Sequence, residues 1–196
     1  MSDQATSVPI QVDARDVFVV VDPQRDFCPG GTLAVPSGDE VFAPINAVMP
    51  KFSHVFATKD WHPLEHRYFA AYGGPWPYHC LQGSPGADFH PRLNVDGIQE
   101  TFYKGTDPNL DGYSAFAGTG LAERLRQIGA RRVFLAGLAT DYCVKSSAVE
   151  AIENDFEPYV LTDAIRAVDL QPGDGERALQ VMRDAGVRLI RSTDLR

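Results

Sequence analysis

The chain predicts a single three-layer α/β/α domain built on a mainly parallel sheet of six strands. Three observations carry this. Its 196 residues suit one domain on the usual scale of about 100–200 residues. Short β-branched or aromatic runs alternate with helical patterns from end to end, as they do when helices cover both faces of a parallel sheet. The first run, Asp16-Val-Phe-Val-Val-Val21, is continuously apolar rather than alternating, which marks a strand buried on both sides. Together they predict a Rossmann-like strand order with right-handed crossovers.

After that first strand, Asp39 to Val48 reads as a helix and His54 to Thr58 as the second strand. Gln99 to Tyr103 supplies a third strand, and Leu121 to Ile128 an amphipathic helix stopped by Gly129. Arg132 to Gly137 is the fourth strand. Asp141 to Asn154 follows as a helix, with Thr140 or Asp141 placed to cap it. Pro158 to Leu161, Gly175 to Asp184 and Val187 to Ile190 complete the set as strand, helix and strand. Met1 to Val12 reads as a flexible tail, leaving residues 13–196 as the domain. Between Trp61 and Gly97 no element is legible. Structureless loops longer than about 12–15 residues are uncommon in compact domains and are usually functional.

Composition excludes several classes of partner. A net charge of −8 with scattered Lys and Arg argues against nucleic acid and anionic membranes. No apolar run approaches the roughly 20 residues of a membrane span, and the polar N-terminus is unlike a signal peptide. Three cysteines at unrelated spacing form no disulfide framework, so a reducing cytoplasm is the expected compartment. A small-molecule substrate is the remaining class of partner, and a homo-oligomer is compatible with the sequence.

The long loop holds the first chemical signal. Asp60, His62, His66 and His79 fall within twenty residues, and the chain has only five histidines. Carboxylate and imidazole at short, uneven spacing suit one divalent ion, with zinc, iron and manganese all compatible. The second signal is positional: Asp22, Asp60 and Lys104 end the first three strands, and Cys143 follows the fourth by a short turn. The carboxyl ends of parallel strands form the ligand crevice, so these four side chains should converge. A helix start favours a thiolate at Cys143, a nearby Lys104 would lower the thiol pKa further, and Asp22 could take the thiol proton. The alternative is an inert buried thiol, the role expected of Cys28 and Cys80. His54 and His90 read as structural, and Asp26 as a loop support. A competing pattern is His62-Pro-Leu-Glu65-His66, the H-x-x-E-H of inverted zinc peptidases. It needs a stable helix, which a Pro- and Gly-rich loop does not offer.

Five blocks carry a resemblance. They are Val21-Asp-Pro-Gln-Arg-Asp-Phe27 with the following Cys-Pro-Gly-Gly-Thr-Leu-Ala-Val, Ala57-Thr-Lys-Asp-Trp-His62, Trp76-Pro-Tyr-His-Cys80, Phe102-Tyr-Lys-Gly105, and Gly137-Leu-Ala-Thr-Asp-Tyr-Cys143. In this order they strongly resemble the nicotinamidase branch of the isochorismatase-like cysteine hydrolases. The departure is Pro23-Gln-Arg25 in place of Val-Gln-Asn, which spares Asp22. The resemblance implies hydrolysis of nicotinamide, and of pyrazinamide-like amides, to the acid and ammonia in NAD salvage. It implies Asp22 as general base and acid, Lys104 as stabiliser of the thiolate, and Cys143 as nucleophile. It assigns the oxyanion hole to the backbone N–H groups of Ala139 and Cys143, with a cis peptide at Leu138-Ala139. Its metal ligands fall on Asp60, His62, His66 and His79, and its substrate contacts on Phe27, Trp76, Tyr113 and Leu138. The metal then becomes an anchor for the substrate ring rather than an activator of water. Other amide or carbamoyl substrates of the same superfamily are the alternative.

Overall fold

The computed structural model describes residues 9–196. Six strands form one all-parallel sheet in the order β3-β2-β1-β4-β5-β6. They are β1 (Val17–Val21), β2 (His54–Asp60), β3 (Glu100–Lys104), β4 (Arg132–Leu138), β5 (Glu157–Arg166) and β6 (Arg188–Ile190). Four α-helices accompany them among the described residues: α1 (Phe42–Val48), α2 (Leu121–Gln127), α3 (Lys145–Glu153) and α4 (Asp174–Asp184). None is long and apolar enough to cross a membrane.

The two faces follow from side-chain alternation along β1. Phe18 and Val20 join Phe42, Ile45 and Val48 of α1 in one core. Val17, Val19 and Val21 point the other way, onto Leu121 and Leu125 of α2, Ala148 and Ala151 of α3, and Met182 of α4. The strand is therefore fully buried without alternating in polarity, as the sequence predicted.

Several boundaries differ from the sequence expectation. The helix expected over 39–48 divides into a 3-10 turn, Gly38–Val41, and α1, with Pro44 falling in the first turn of α1, where a missing N–H is cheapest. The helix expected from Asp141 opens as a π-helical turn, Thr140–Val144, and becomes α-helical only at Lys145. Neither Thr140 nor Asp141 caps it. The Asp141 carboxylate instead accepts the N–H groups of Val168 (3.0 Å) and Asp169 (2.9 Å), tying the turn to the β5–α4 connection. β5 runs to Arg166, and its register against β4 shifts between Leu135 and Gly137. Of the expected tail, residues 1–8 lie outside the described residues. Ile10 and Val12 bond to the C-terminus: Ile10 N–H donates to Asp194 O (2.7 Å) and Val12 N–H to Arg196 O (3.3 Å).

The strand order reverses between β1 and β4, and a crevice opens at the carboxyl ends of the strands there. Gly137 sets how closely these two ends approach. Its φ is +121°, and a Cβ at this position would sit 2.0 Å from the Val21 carbonyl oxygen. Only glycine fits.

The segment between β2 and β3 contains only three 3-10 turns, Ala70–Tyr72, Pro85–Ala87 and Val95–Gly97. Hydrogen bonds shape it nonetheless: His62 N–H to Cys80 O (3.0 Å), Ala70 N–H to Trp76 O (2.6 Å) and Trp76 N–H to Tyr68 O (3.1 Å).

Candidate active site

Asp22, Lys104 and Cys143 come from the ends of three strands and meet in the crevice. Lys104 is buried among two carboxylates, a carbonyl and a thiol. Its Nζ lies 2.8 Å from Asp22 Oδ2 and also binds Asp60 Oδ1. It donates to Gly112 O (2.8 Å) and stands 3.3 Å from Cys143 Sγ. Burial works against the ammonium charge, but Asp22, Asp60 and Cys143 outweigh it and carry its pKa well above the ordinary range. Lys104 is a permanent cation here.

Burial pushes the Asp22 carboxyl up to about 6, with Lys104 opposing and Asp60 assisting the rise. The Cys143 thiol is pushed well above its usual range, again by burial first. Lys104 pulls it down, but Asp22 and Asp60 add to the rise. The positive neighbour expected to lower the thiol is present, but two carboxylates share it and the site is buried. Desolvation disfavours the anion more than one shared ammonium favours it. Burial and the two carboxylates thus oppose the thiolate, and Asp22 stands beside the sulfur as a carboxylate able to take its proton.

Across the same crevice stands the metal-like cluster. Ligand atoms of Asp60, His62 and His79 lie within 4.8 Å of one another. His62 Nε2 is 3.3 Å and His79 Nε2 3.8 Å from Asp60 Oδ2. Each ring is fixed from behind, His62 Nδ1 by Gly105 O (2.9 Å) and His79 Nδ1 by Pro77 O (2.8 Å). Donation from Nδ1 to a carbonyl leaves the Nε2 lone pair facing inward, the tautomer a metal ligand needs. His66 stands slightly apart, its ring centroid 4.4 Å from that of His62. Its Nε2 is buried without a partner. Burial, followed by the neighbouring His62, lowers its pKa to about 4, so it is neutral. An orphaned imidazole nitrogen beside two oriented imidazoles and a carboxylate fits a divalent cation of the zinc, iron or manganese kind.

Gln24 braces this cluster, and sequence reasoning missed it. It is fully buried, takes the Asp60 N–H at 2.8 Å and donates to Asp60 O (2.8 Å) and Ala87 O (3.0 Å). The same residue lies in the Pro-Gln-Arg departure, so the departure leaves this brace intact. Asp26 supports the loop as expected, accepting Cys80 N–H (2.7 Å) and Thr32 N–H (3.3 Å).

Between thiol and cluster lies a small cavity. Phe27, Asp60, Trp76, His79, Tyr113, Ala139 and Cys143 line it, joined by Leu33, Tyr142 and Val168, which sequence reasoning did not single out. Trp76 Nε1 donates to Tyr113 Oη (2.9 Å), and Tyr142 packs edge-on against Trp76. Leu138 does not line the cavity. Its side chain falls on the α1 face with Phe134 and Ala136, four and two residues back along β4. The Leu138-Ala139 peptide is cis, as expected.

The H-x-x-E-H reading finds no support. His62 and His66 lie in a stretch of turns rather than on a helix, and Glu65 is exposed. Cys28 and Cys80 are buried, and burial pushes the Cys28 thiol up to about 12 and that of Cys80 well above its usual range.

Fold and site together define a doubly wound parallel α/β protein with a buried Cys–Lys–Asp constellation facing a carboxylate–imidazole cluster. The chain belongs to the isochorismatase domain family, which it matches over residues 16–194. It is 39% identical to a nicotinamidase/pyrazinamidase of Mycobacterium tuberculosis, over 90% of this chain and 98% of that protein. Among solved structures it is similar to PnC1 of L. infantum in complex with nicotinate, with a TM-score of 0.91 and 40% identity over 96% of this chain and 98% of that one. It is also similar to the pyrazinamidase of Pyrococcus horikoshii in complex with zinc, with a TM-score of 0.83 and 42% identity over 90% and 99% of the two chains.

Proposed function

We propose that this protein is a nicotinamidase that hydrolyses nicotinamide to nicotinate and ammonia through a thioester on Cys143, as a step of NAD salvage. The observation that carries the reading is that Cys143, beside Lys104 and through it Asp22, lines one small cavity whose wall also holds Asp60 and His79 of the carboxylate–histidine cluster. Family membership and the nicotinamidase names of its relatives support it.

Asp22 accepts the thiol proton as the sulfur pair attacks the carboxamide carbon. The carbonyl π pair moves onto oxygen, where the N–H groups of Ala139 and Cys143 would receive it. Collapse breaks the C–N bond, and Asp22 returns its proton to the departing nitrogen as ammonia. Water then attacks the thioester, giving its proton to Asp22, and the expelled sulfur recovers that proton. Lys104 holds the sulfur charge wherever it appears. A divalent ion held by Asp60, His62, His66 and His79 would offer a coordination position to the pyridine nitrogen and so orient the ring. Phe27, Trp76 and Tyr113 supply the walls against which an aromatic ring packs.

Ammonia release from nicotinamide tests the activity, and mass spectrometry during turnover tests for the acyl adduct. Two expectations follow from the geometry. Asp22 must be deprotonated to act, so kcat/KM falls tenfold per pH unit below about 6, the value to which burial lifts it. A pH profile flat down to pH 4.5 would remove Asp22 from the role of base. Second, His79→Asn lowers bound metal and raises KM by about tenfold or more, since a ligand and a cavity wall are lost together. Alkylation of Cys143 by iodoacetamide continues in this variant. Unchanged metal content and KM would show that the cluster is not the anchor.

A further inference from the structure

The Asp22 carboxylate has two oxygens with different surroundings. Oδ2 faces Lys104 Nζ at 2.8 Å. Oδ1 accepts the hydroxyl of Thr58 at 2.6 Å, and the same hydroxyl oxygen accepts the backbone N–H of Asp22 at 3.1 Å. An N–H can only donate, so the hydroxyl proton is free to point only toward the carboxylate. Thr58 is completely buried, which keeps water from substituting for it. Its neighbour is held in an unusual backbone state: Asp22 has φ +44° at the end of β1, a conformation a non-glycine residue rarely adopts. The Thr58 hydroxyl thus binds the backbone and the side chain of Asp22 at once.

We infer that Thr58 is a positioning residue for the general base: it pins Oδ1 of Asp22 and leaves Oδ2 as the atom that exchanges protons with Cys143 and the departing nitrogen. The inference rests on the reading of Asp22 as base. Thr58 touches no cavity surface and lines none of the space offered to substrate. Its effect is on the geometry and charge of Asp22 alone. The charged or titratable groups facing Asp22 are Lys104 from β3, Asp60 from the end of β2, Cys143 from the turn after β4 and Cys80 from the β2–β3 segment. Lys104 is shared with Asp60, so the Thr58 hydroxyl is the donor that Asp22 does not share with another carboxylate. A hydrogen bond to the charged form favours that form. Loss of the hydroxyl therefore moves the acid limb of the rate profile to higher pH.

The test compares Thr58→Val, Thr58→Ala, Thr58→Ser and Asp22→Asn as purified holoenzymes. Metal content, Tm, and kcat and KM for nicotinamide are measured from pH 4.5 to 8.5. Thr58→Val should keep its metal and its KM, lose kcat by about tenfold or more, and shift the acid limb up by about one pH unit. Thr58→Ala, which removes the same hydroxyl with less apolar bulk, should shift the limb in the same direction and stands in if the valine variant does not fold. Thr58→Ser should restore the wild-type limb. Wild-type kcat and limb in the valine and alanine variants, with Asp22→Asn inactive, would overturn the role of Thr58 alone. So would a serine variant as impaired as valine, which would place the effect in packing. Full activity in Asp22→Asn would instead overturn the reading of the base itself.

Discussion

Lys104→Met lowers kcat/KM for nicotinamide by about 10²–10³-fold, as expected for losing a fixed charge aimed at the reacting centre. It also costs stability. Asp22 and Asp60 are both buried, and the Lys104 ammonium lies between them. Removing one member of a buried ionic group costs about 3–5 kcal/mol, because its partners are left charged without compensation. For a domain of this size that corresponds to a fall in Tm of about 10 °C, from roughly 2–4 °C per kcal/mol. The pH dependence separates this cause from lost packing. Asp22 already has its pKa raised by burial, to about 6, and loses the cation that opposed the rise. An acid whose folded pKa lies above its unfolded value stabilises the fold at low pH and loses that contribution as pH rises through the folded pKa. The variant should therefore lie closer to wild type at pH 5 than at pH 7.5. A Tm deficit equal at both pH values would mean that the aliphatic stem, not the charge, is what the fold requires.

The sheet was legible because its strands are short runs rich in β-branched and aromatic residues, and because β1, buried on both faces, is continuously apolar. Asp22 was legible as the polar residue on which the buried apolar run of β1 stops, and Asp60 and Lys104 as polar residues at the ends of the next two strands. What the sequence could not reveal was depth and partnership. The proximity of Lys104 to Cys143 is readable from strand ends, but not that two carboxylates share the ammonium and that burial pushes the thiol up. Thr58 and Gln24 looked like ordinary residues of a strand and a turn. Their roles come from contacts across 36 positions of chain, Thr58 to Asp22 and Gln24 to Asp60. Asp141 resembled a helix cap, since a local hydrogen bond is what its position suggests, yet a connection 27 residues further on claims its carboxylate. Leu138 packs with Phe134 and Ala136 in the α1-side core and is not among the residues that line the cavity.

Cys143→Ala lowers kcat/KM by about 10⁴-fold or more, the scale seen when a covalent nucleophile is removed, and abolishes the acyl adduct. The two hydrolytic designs available in this cavity diverge at this residue. If the Asp60–histidine cluster generated a hydroxide for direct attack, Cys143 would be only a wall of the cavity, and alanine there would leave most of the rate. Geometry favours the thiol. Its sulfur lies 3.3 Å from Lys104 Nζ, and Lys104 is in turn 2.8 Å from the proposed base. Cys143→Ser sharpens the comparison. An alcohol is a far weaker acid than a thiol, and a carboxylate whose pKa is about 6 is a poor base toward it. Serine should therefore be nearly as inactive as alanine, despite keeping a nucleophilic atom in place. Neither change removes a metal ligand, so metal content should match wild type in both. Retention of more than about a tenth of the wild-type rate in Cys143→Ala would return the chemistry to metal-activated water. Glu65→Gln then provides the converse test. Glu65 is exposed on a turn, so the substitution should leave the rate unchanged, whereas a peptidase using it as base would lose its activity.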